Sequence, residues 1–438
     1  MEPVRPAATL AAAPLRMPRA LREFLRAETA GGAALIGAAG AALVWANSPW
    51  KAAYTTLWTT ELSVRLGRFA LAGDLRQWVN EGLMALFFLV VGLEIKRELV
   101  DGELRSPRRA ALPVLAAVGG MALPAGIYAL VNAGGPGAPG WGIPMATDIA
   151  FALGVLALLG ERVPPALKLF LLALAIVDDL GSILVVAAFY RRGSDAAALA
   201  AAAGLVLLVV ALRRARIGWM PVYVGVGVGL WLALRAAGIS PALAGAAMGL
   251  LAPARPFTDP GMVRARGDEL AAAPGPAPLR EVVREARGTV STAERLEHDL
   301  HPLTAFVVVP LFGLANAGVT LELGQLGRPG ATAVLAGVVV GRVLGKLVGI
   351  TLAVWLAVRL RVGVLPTGVR WAHLVGAATI GGIGFTVPLF VADLAFPAGQ
   401  FDAAVKLGLL LASLPAGLGG LLLLRRASRP AGPGPRRP

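Results

Sequence analysis

The 438-residue chain contains no cysteine, which excludes disulfides and thiolate metal sites and by itself says nothing of compartment. Charge is also scarce. Only 15% of residues are Asp, Glu, Lys or Arg, where a soluble chain of this length would carry about 25%. With 57% hydrophobic residues and a mean hydropathy of +0.71, the chain reads as a polytopic membrane protein. There is no Gly-x-x-x-x-Gly-Lys-Ser/Thr run, so nothing marks an ATP site and no cofactor is expected. The net charge of +15 is not accompanied by a basic platform interleaved with aromatics, so nucleic acid is not an expected partner.

What is present is a succession of apolar segments, at roughly 29–46, 79–95, 110–131, 142–160, 166–190, 196–212, 217–235, 239–253, 303–319, 331–357, 371–393 and 403–424. Each is near the length that crosses a bilayer, and several are interrupted. The expected fold class is an all-α membrane protein of twelve transmembrane helices with both termini on one side. Residues 1–28 form a cytoplasmic N-terminal segment, Ala/Pro-rich and then basic. Leu21, Phe24 and Leu25 there fit a short amphipathic helix at the membrane surface. A cleaved signal peptide fits poorly, since the basic region is long and no clear small-x-small site follows. The helical domain covers 29–424. Residues 62–76 partly alternate around Gly67 and Gly73 and read as a small extracytoplasmic hairpin. Residues 254–290 read as a flexible cytoplasmic loop, and 425–438 as a disordered cytoplasmic tail. Ser291 and Glu294 form a capping box that opens a short helix ending near Pro302. With the N-terminus cytoplasmic, and with Lys168 and Arg235 at the ends of their spans assigned to the adjoining sides, 30 of the 41 Lys and Arg residues fall on that side, 8 on the other and 3 inside spans (Arg342, Lys346 and Lys406). That asymmetry is an orientation signal and a lipid-facing charge.

The stretch from Lys168 to Val186 is apolar except for two adjacent carboxylates near its middle, Asp178 and Asp179. A charge at the bilayer centre costs at least about 2.5–3.5 kcal/mol, so such residues face a cavity or a partner. Neighbouring helical positions point about 100° apart, so the two cannot share one narrow seam. They also cannot easily both stay ionised in a dry site. A titratable pair that can coordinate a small cation is a candidate carrier site, and the alternative is a structural ion pair between packed helices.

Two other spans are broken. In the fourth, Pro144 removes a backbone donor, and Thr147-Asp148 is a natural N-cap for a helix starting at Ile149. In the eleventh, Gly381, Gly382, Gly384 and Pro388 surround the midpoint. Gly/Pro-interrupted apolar segments in corresponding places of two halves point to a transporter site. Crossed half-helices leave positive N-termini and negative C-termini facing one another. Asp148 and a charge from another helix can compensate them. Lys346, too deep in the tenth span to snorkel easily, must pair or lose its proton, with Asp178 or Asp179 the obvious partner. Arg342 lies one turn earlier on the same face, so that face is expected to line an aqueous path.

These residues resemble the NhaA family of bacterial sodium/proton antiporters. The likeness is carried by Ala146-Thr-Asp-Ile-Ala-Phe-Ala-Leu-Gly154, Leu174-Ala-Ile-Val-Asp-Asp-Leu-Gly181 and Gly382-Ile-Gly-Phe-Thr386. It extends to Phe87-Phe-Leu-Val-Val-Gly-Leu-Glu-Ile-Lys-Arg-Glu-Leu99 and Arg295-Leu-Glu-His-Asp-Leu-His-Pro302, in the same order over roughly residues 20–425. The resemblance implies an inverted-topology repeat with two discontinuous helices crossing near the membrane middle. It implies Asp179 as the main cation ligand and proton carrier, Asp178 paired with Lys346, Thr147 assisting, and Asp148 compensating the half-helix dipoles. Glu94, Glu98, Glu297, His298 and His301 fall on positions resembling the family's pH-response region at the cytoplasmic mouth. Glu81 fits a further acidic position in the funnel or a charge at a helix end. The 254–290 loop, Arg342 and Pro388 depart from the family pattern.

The function expected from this is secondary active antiport in the cytoplasmic (inner) membrane of a bacterium. Intracellular Na⁺ and Li⁺ would exchange for external H⁺, in a homodimer surrounded by membrane lipid, with sodium and pH homeostasis as the outcome. A zinc site at His298 and His301 lacks third and fourth ligands. An intramembrane aspartyl protease would need one Asp on each of two helices, and this chain would therefore not be an enzyme of that kind. A passive cation channel needs neither a titratable pair nor a buried lysine.

Overall fold

A computed structural model describes residues 19–66, 69–100, 102–190, 195–215, 217, 219–254, 289–318, 327–396 and 400–428. The segment up to residue 18, residues 67–68 of the expected hairpin, most of the 254–290 stretch and the residues from 429 lie outside the described residues.

The described chain is almost entirely helical. Helix α1 (Arg19–Ala46) runs unbroken from the basic N-terminal stretch into the first apolar segment, so the expected surface helix and first span are one element. After α2 (Lys51–Thr59) come two antiparallel strands, β1 (Glu61–Leu66) and β2 (Phe69–Asp74), paired from Glu61 with Asp74 to Leu66 with Phe69. The Trp78 indole donates to the Leu62 carbonyl and ties the hairpin to the π-helical turn Trp78–Leu83, which leads into α3 (Met84–Val100). Then follow α4 (Pro107–Val131), α5 (Ile149–Ala157), α6 (Pro165–Phe189), α7 (Ala196–Arg214), α8 (Met220–Ala236) and α9 (Leu243–Leu251). Helix α10 (Thr292–Leu303) is capped by the Ser291 hydroxyl, which accepts from the Glu294 amide. It does not end at Pro302. A π-helical turn, Thr304–Val308, follows it and carries the chain into α11 (Val309–Asn316). Another such turn, Gly341–Gly345, joins α12 (Ala331–Val340) to α13 (Lys346–Arg359). The chain closes with α14 (Trp371–Ile380), α15 (Thr386–Ala395) and α16 (Asp402–Ala427).

Six of these helical stretches are long and apolar enough to cross a membrane, or seven if the bent pair 30–46 and 51–59 counts as one span. The eleventh apolar segment falls short because it is two helices, and the fourth because only nine of its residues are α-helical.

Small residues let these helices approach closely, as expected where lipid gives no hydrophobic reward for association. A Cβ on Gly245 of α9 would overlap the Ala85 carbonyl of α3. Gly349 of α13 lies against the backbone of Gly119 in α4. Within the bundle α6 is the most enclosed span, with 72% of its apolar window buried against 17% for α7. Its 25 residues are about 37 Å long at 1.5 Å per residue, enough for a hydrocarbon core of about 30 Å. Asp178 and Asp179 therefore lie near mid-depth, in the helix with the most protein around it.

Candidate functional site

The two interrupted spans meet at their breaks. The Asp148 amide donates to the Ile383 carbonyl at 3.0 Å, so irregular backbone from one break is hydrogen-bonded to the other. Non-helical backbone at this depth survives only when protein satisfies it or when it lines a cavity. Asp148 caps α5, accepting from the Phe151 amide at 3.4 Å. Its second oxygen accepts from the Thr386 amide at 3.3 Å and the Thr386 hydroxyl at 2.9 Å, at the start of α15. One carboxylate thus sits at two converging helix N-termini, where a negative charge is favoured.

Asp178 is fully buried. Its Oδ2 accepts from Lys346 Nζ at 2.5 Å and from the Thr147 hydroxyl at 2.7 Å. Both members of the ion pair are wholly enclosed. Thr147 also lies 2.9 Å from the Gly381 carbonyl. Its hydroxyl has one proton for two acceptors, so a protonated Asp178 could donate to Thr147 and free that proton for Gly381. The pair, the broken span and the tenth segment are joined at one point.

Asp179 points elsewhere, as the helical angle between neighbours requires. It lines a cavity of about 70 Å³ together with Thr147, Asp148, Thr386, Glu94 and His301. The oxygen-rich crossing and part of the expected mouth thus share one space. Glu297 is buried beside that mouth and pairs with Arg97 at 2.6 Å. Glu98 lies 4.0 Å from the same guanidinium. His298 is exposed and does not line the cavity. Nor does Glu81, which pairs with Arg235 of α8 and accepts from Gln77 at 2.8 Å, while the Trp231 indole donates to its carbonyl at 2.9 Å.

Arg342 differs from expectation. It is fully buried, and its Nε donates to the Gly382 carbonyl at 3.1 Å, so it faces protein and not an aqueous path. Two further groups escaped sequence reasoning. Arg97 is the partner of Glu297, although nothing in a basic residue at a helix end says which acid it meets. Asn80, Asn316 and Asp393 are linked through side-chain hydrogen bonds. The signal available for that link was an amide near the end of each of two apolar stretches.

A many-helix membrane protein whose two broken helices cross beside buried, oppositely charged side chains has the make-up of a secondary transporter. Residues 22–424 match the family described as Na+/H+ antiporter 1. The chain is 45% identical to Na(+)/H(+) antiporter NhaA 3 of Frankia alni, over 94% of this chain and 90% of that protein. It is 45% identical to Na(+)/H(+) antiporter NhaA 2 of Sorangium cellulosum, again over 94% and 90%. It is 42% identical to Na(+)/H(+) antiporter NhaA 2 of Syntrophotalea carbinolica, over 93% and 96%. The chain belongs to the Na+/H+ antiporter 1 family.

Proposed function

We propose that this protein exchanges intracellular Na⁺ or Li⁺ for external protons across a bacterial cytoplasmic membrane. The observation that carries the reading is the division of labour on α6. Asp178 is held by Lys346 and Thr147, while the adjacent Asp179 faces a cavity shared with Thr147, Asp148 and Thr386. Na⁺ is a hard ion that favours oxygen, and this cavity supplies carboxylate and hydroxyl oxygens. A carboxylate holding either a proton or a cation makes the two compete. Cation binding expels protons, proton binding expels the cation, and the crossing alternates the side to which Asp179 is open. The drive is then the proton gradient.

In this reading Asp179 is the main ligand and proton carrier, Asp178 and Thr147 complete the site, Lys346 is counter-ion and proton donor, and Asp148 balances the half-helix ends. Glu94, Glu98, Glu297, His298 and His301 tune the response to cytoplasmic pH, and Glu81 acts at a distance from the cavity. Twelve spans in two inverted repeats, cytoplasmic termini, a homodimer joined through the hairpin, and two protons per Na⁺ complete the proposal. A passive channel is the rival reading, and the enclosed Asp178–Lys346 pair favours a carrier over it.

The test uses the purified protein in proteoliposomes with an imposed proton gradient. Addition of Na⁺ should dissipate the gradient, and more so at alkaline pH. Na⁺ flux without proton counter-movement would establish the channel instead.

A further inference from the structure

The crossing contains a second buried cation that the exchange just described does not use. Arg342 lies in the π-helical turn Gly341–Gly345, one turn before Lys346, with no exposed surface. Wide turns of this kind redirect side chains and recur at functional sites. Its Nε donates to the Gly382 carbonyl, just past the C-terminal end of α14. That end is where a half-helix presents its negative pole. The guanidinium also packs against Gly384, where a Cβ would overlap it. Its two terminal nitrogens are enclosed and make no hydrogen bond within the described residues. Its charge acts on Asp148 from one broken span and on Asp178 from α6. Lys346 is the other cation beside Asp178, and its charge also acts on Asp179.

Charge counting gives this arrangement a consequence. Asp148, Asp178 and Asp179 carry three negative charges when ionised, and Lys346 supplies one positive charge. Arg342 supplies a second that cannot be surrendered, because a guanidinium does not deprotonate in proteins. The crossing is then left with a single negative charge, matched to one monovalent ion. Without Arg342 the deficit would be two, which would hold Na⁺ more tightly and suit a divalent cation.

We propose that Arg342 is a positioning and specificity residue, a permanent internal counter-charge that fixes the backbone link between α14 and α15 and sets the crossing to hold one monovalent cation weakly enough to release it. This rests on the antiport reading above.

The test compares the wild type with R342Q, R342K and R342Q/D148N, reconstituted as full-length protein. Na⁺-driven proton movement is measured at alkaline pH, where protons compete least, with Ca²⁺ as the divalent probe. Removing one unit charge from a partly shielded site should lower the apparent KM for Na⁺ in R342Q by about tenfold. The maximal rate should fall because release slows, and Ca²⁺ should become an inhibitor. R342K keeps the charge and should stay near the wild-type KM, with a reduced rate from the lost contact to Gly382. R342Q/D148N removes one charge of each sign and should return the KM toward wild type, which a purely structural role would not do. An R342Q KM that is unchanged or raised, or equal shifts in R342K and R342Q, overturns the proposal. Should R342Q fail to reach the membrane, R342K decides: a tenfold change in KM with the charge retained would overturn it, and a KM near wild type would uphold it. A wild type with no Na⁺-coupled proton movement would sink the antiport reading, whereas coupled exchange with an unaltered R342Q KM would sink the role of Arg342 alone.

Discussion

Replacing Lys346 by Ala tests the most enclosed interaction in the molecule. Lys346 Nζ lies 2.5 Å from Asp178 Oδ2 and both side chains are fully buried. The variant leaves Asp178 with the Thr147 hydroxyl at 2.7 Å as its remaining hydrogen-bond donor. Taking one member from a buried pair costs about 3–5 kcal/mol, most of it the uncompensated charge left behind. For a chain of this size the unfolding entropy spreads that loss over a melting-point drop of about 3–5 °C, scaled from soluble proteins. The companion variants are D178N and the neutral double variant D178N/K346A. Each single variant should melt several degrees below wild type in detergent, as followed by size-exclusion fluorescence after heating. The double variant should lose clearly less than the sum of the two. A K346A protein as stable and as active as wild type, or strictly additive losses, would refute the pairing as an energetic element.

Asp179→Asn keeps the shape of the side chain but removes its charge and titration, so exchange should vanish while insertion and melting temperature persist. Transport at a substantial fraction of the wild-type rate would take the carrier role from Asp179. Deleting the hairpin over 61–74 removes both strands, whose edges a second copy could extend by strand pairing. The truncated protein should run as an active monomer in detergent, and unchanged dimers would move the interface elsewhere. Gly245→Leu forces a side chain into the Ala85 carbonyl and should destabilise the α3–α9 contact enough to lower the yield of folded protein, measured by monodisperse recovery. Undiminished recovery would show that the helices can part there without penalty.

The membrane class and the positions of the helix breaks were legible because they rest on local chemistry. Pro144 cannot donate, and Gly381, Gly382 and Gly384 favour irregular backbone, so each span is interrupted wherever the chain goes next. The Asp178–Asp179 pair was legible for the same reason, since carboxylates in an apolar run need somewhere to face. Partners were harder to read. Thr147 meets Gly381 and Arg342 meets Gly382 across separations of 234 and 40 residues, and nothing local encodes either approach. The spacing of Arg342 and Lys346 puts both on one helical face, and both are fully buried, so that face meets protein where an aqueous path was expected. Pro302 was read as a terminus, and the π-helical turn that follows carries the helix past it.

The central claim is that protons and Na⁺ compete for the carboxylates of α6. Its most direct test is a series of Na⁺ concentration jumps on a solid-supported membrane carrying the protein, repeated across pH. The account predicts a transient current with a pH-independent maximum and an apparent KM that rises on acidification. The rise should be about tenfold per pH unit if one proton competes and about a hundredfold if two do. A KM that does not move with pH, or a sustained Na⁺ current without proton counter-movement, would contradict it.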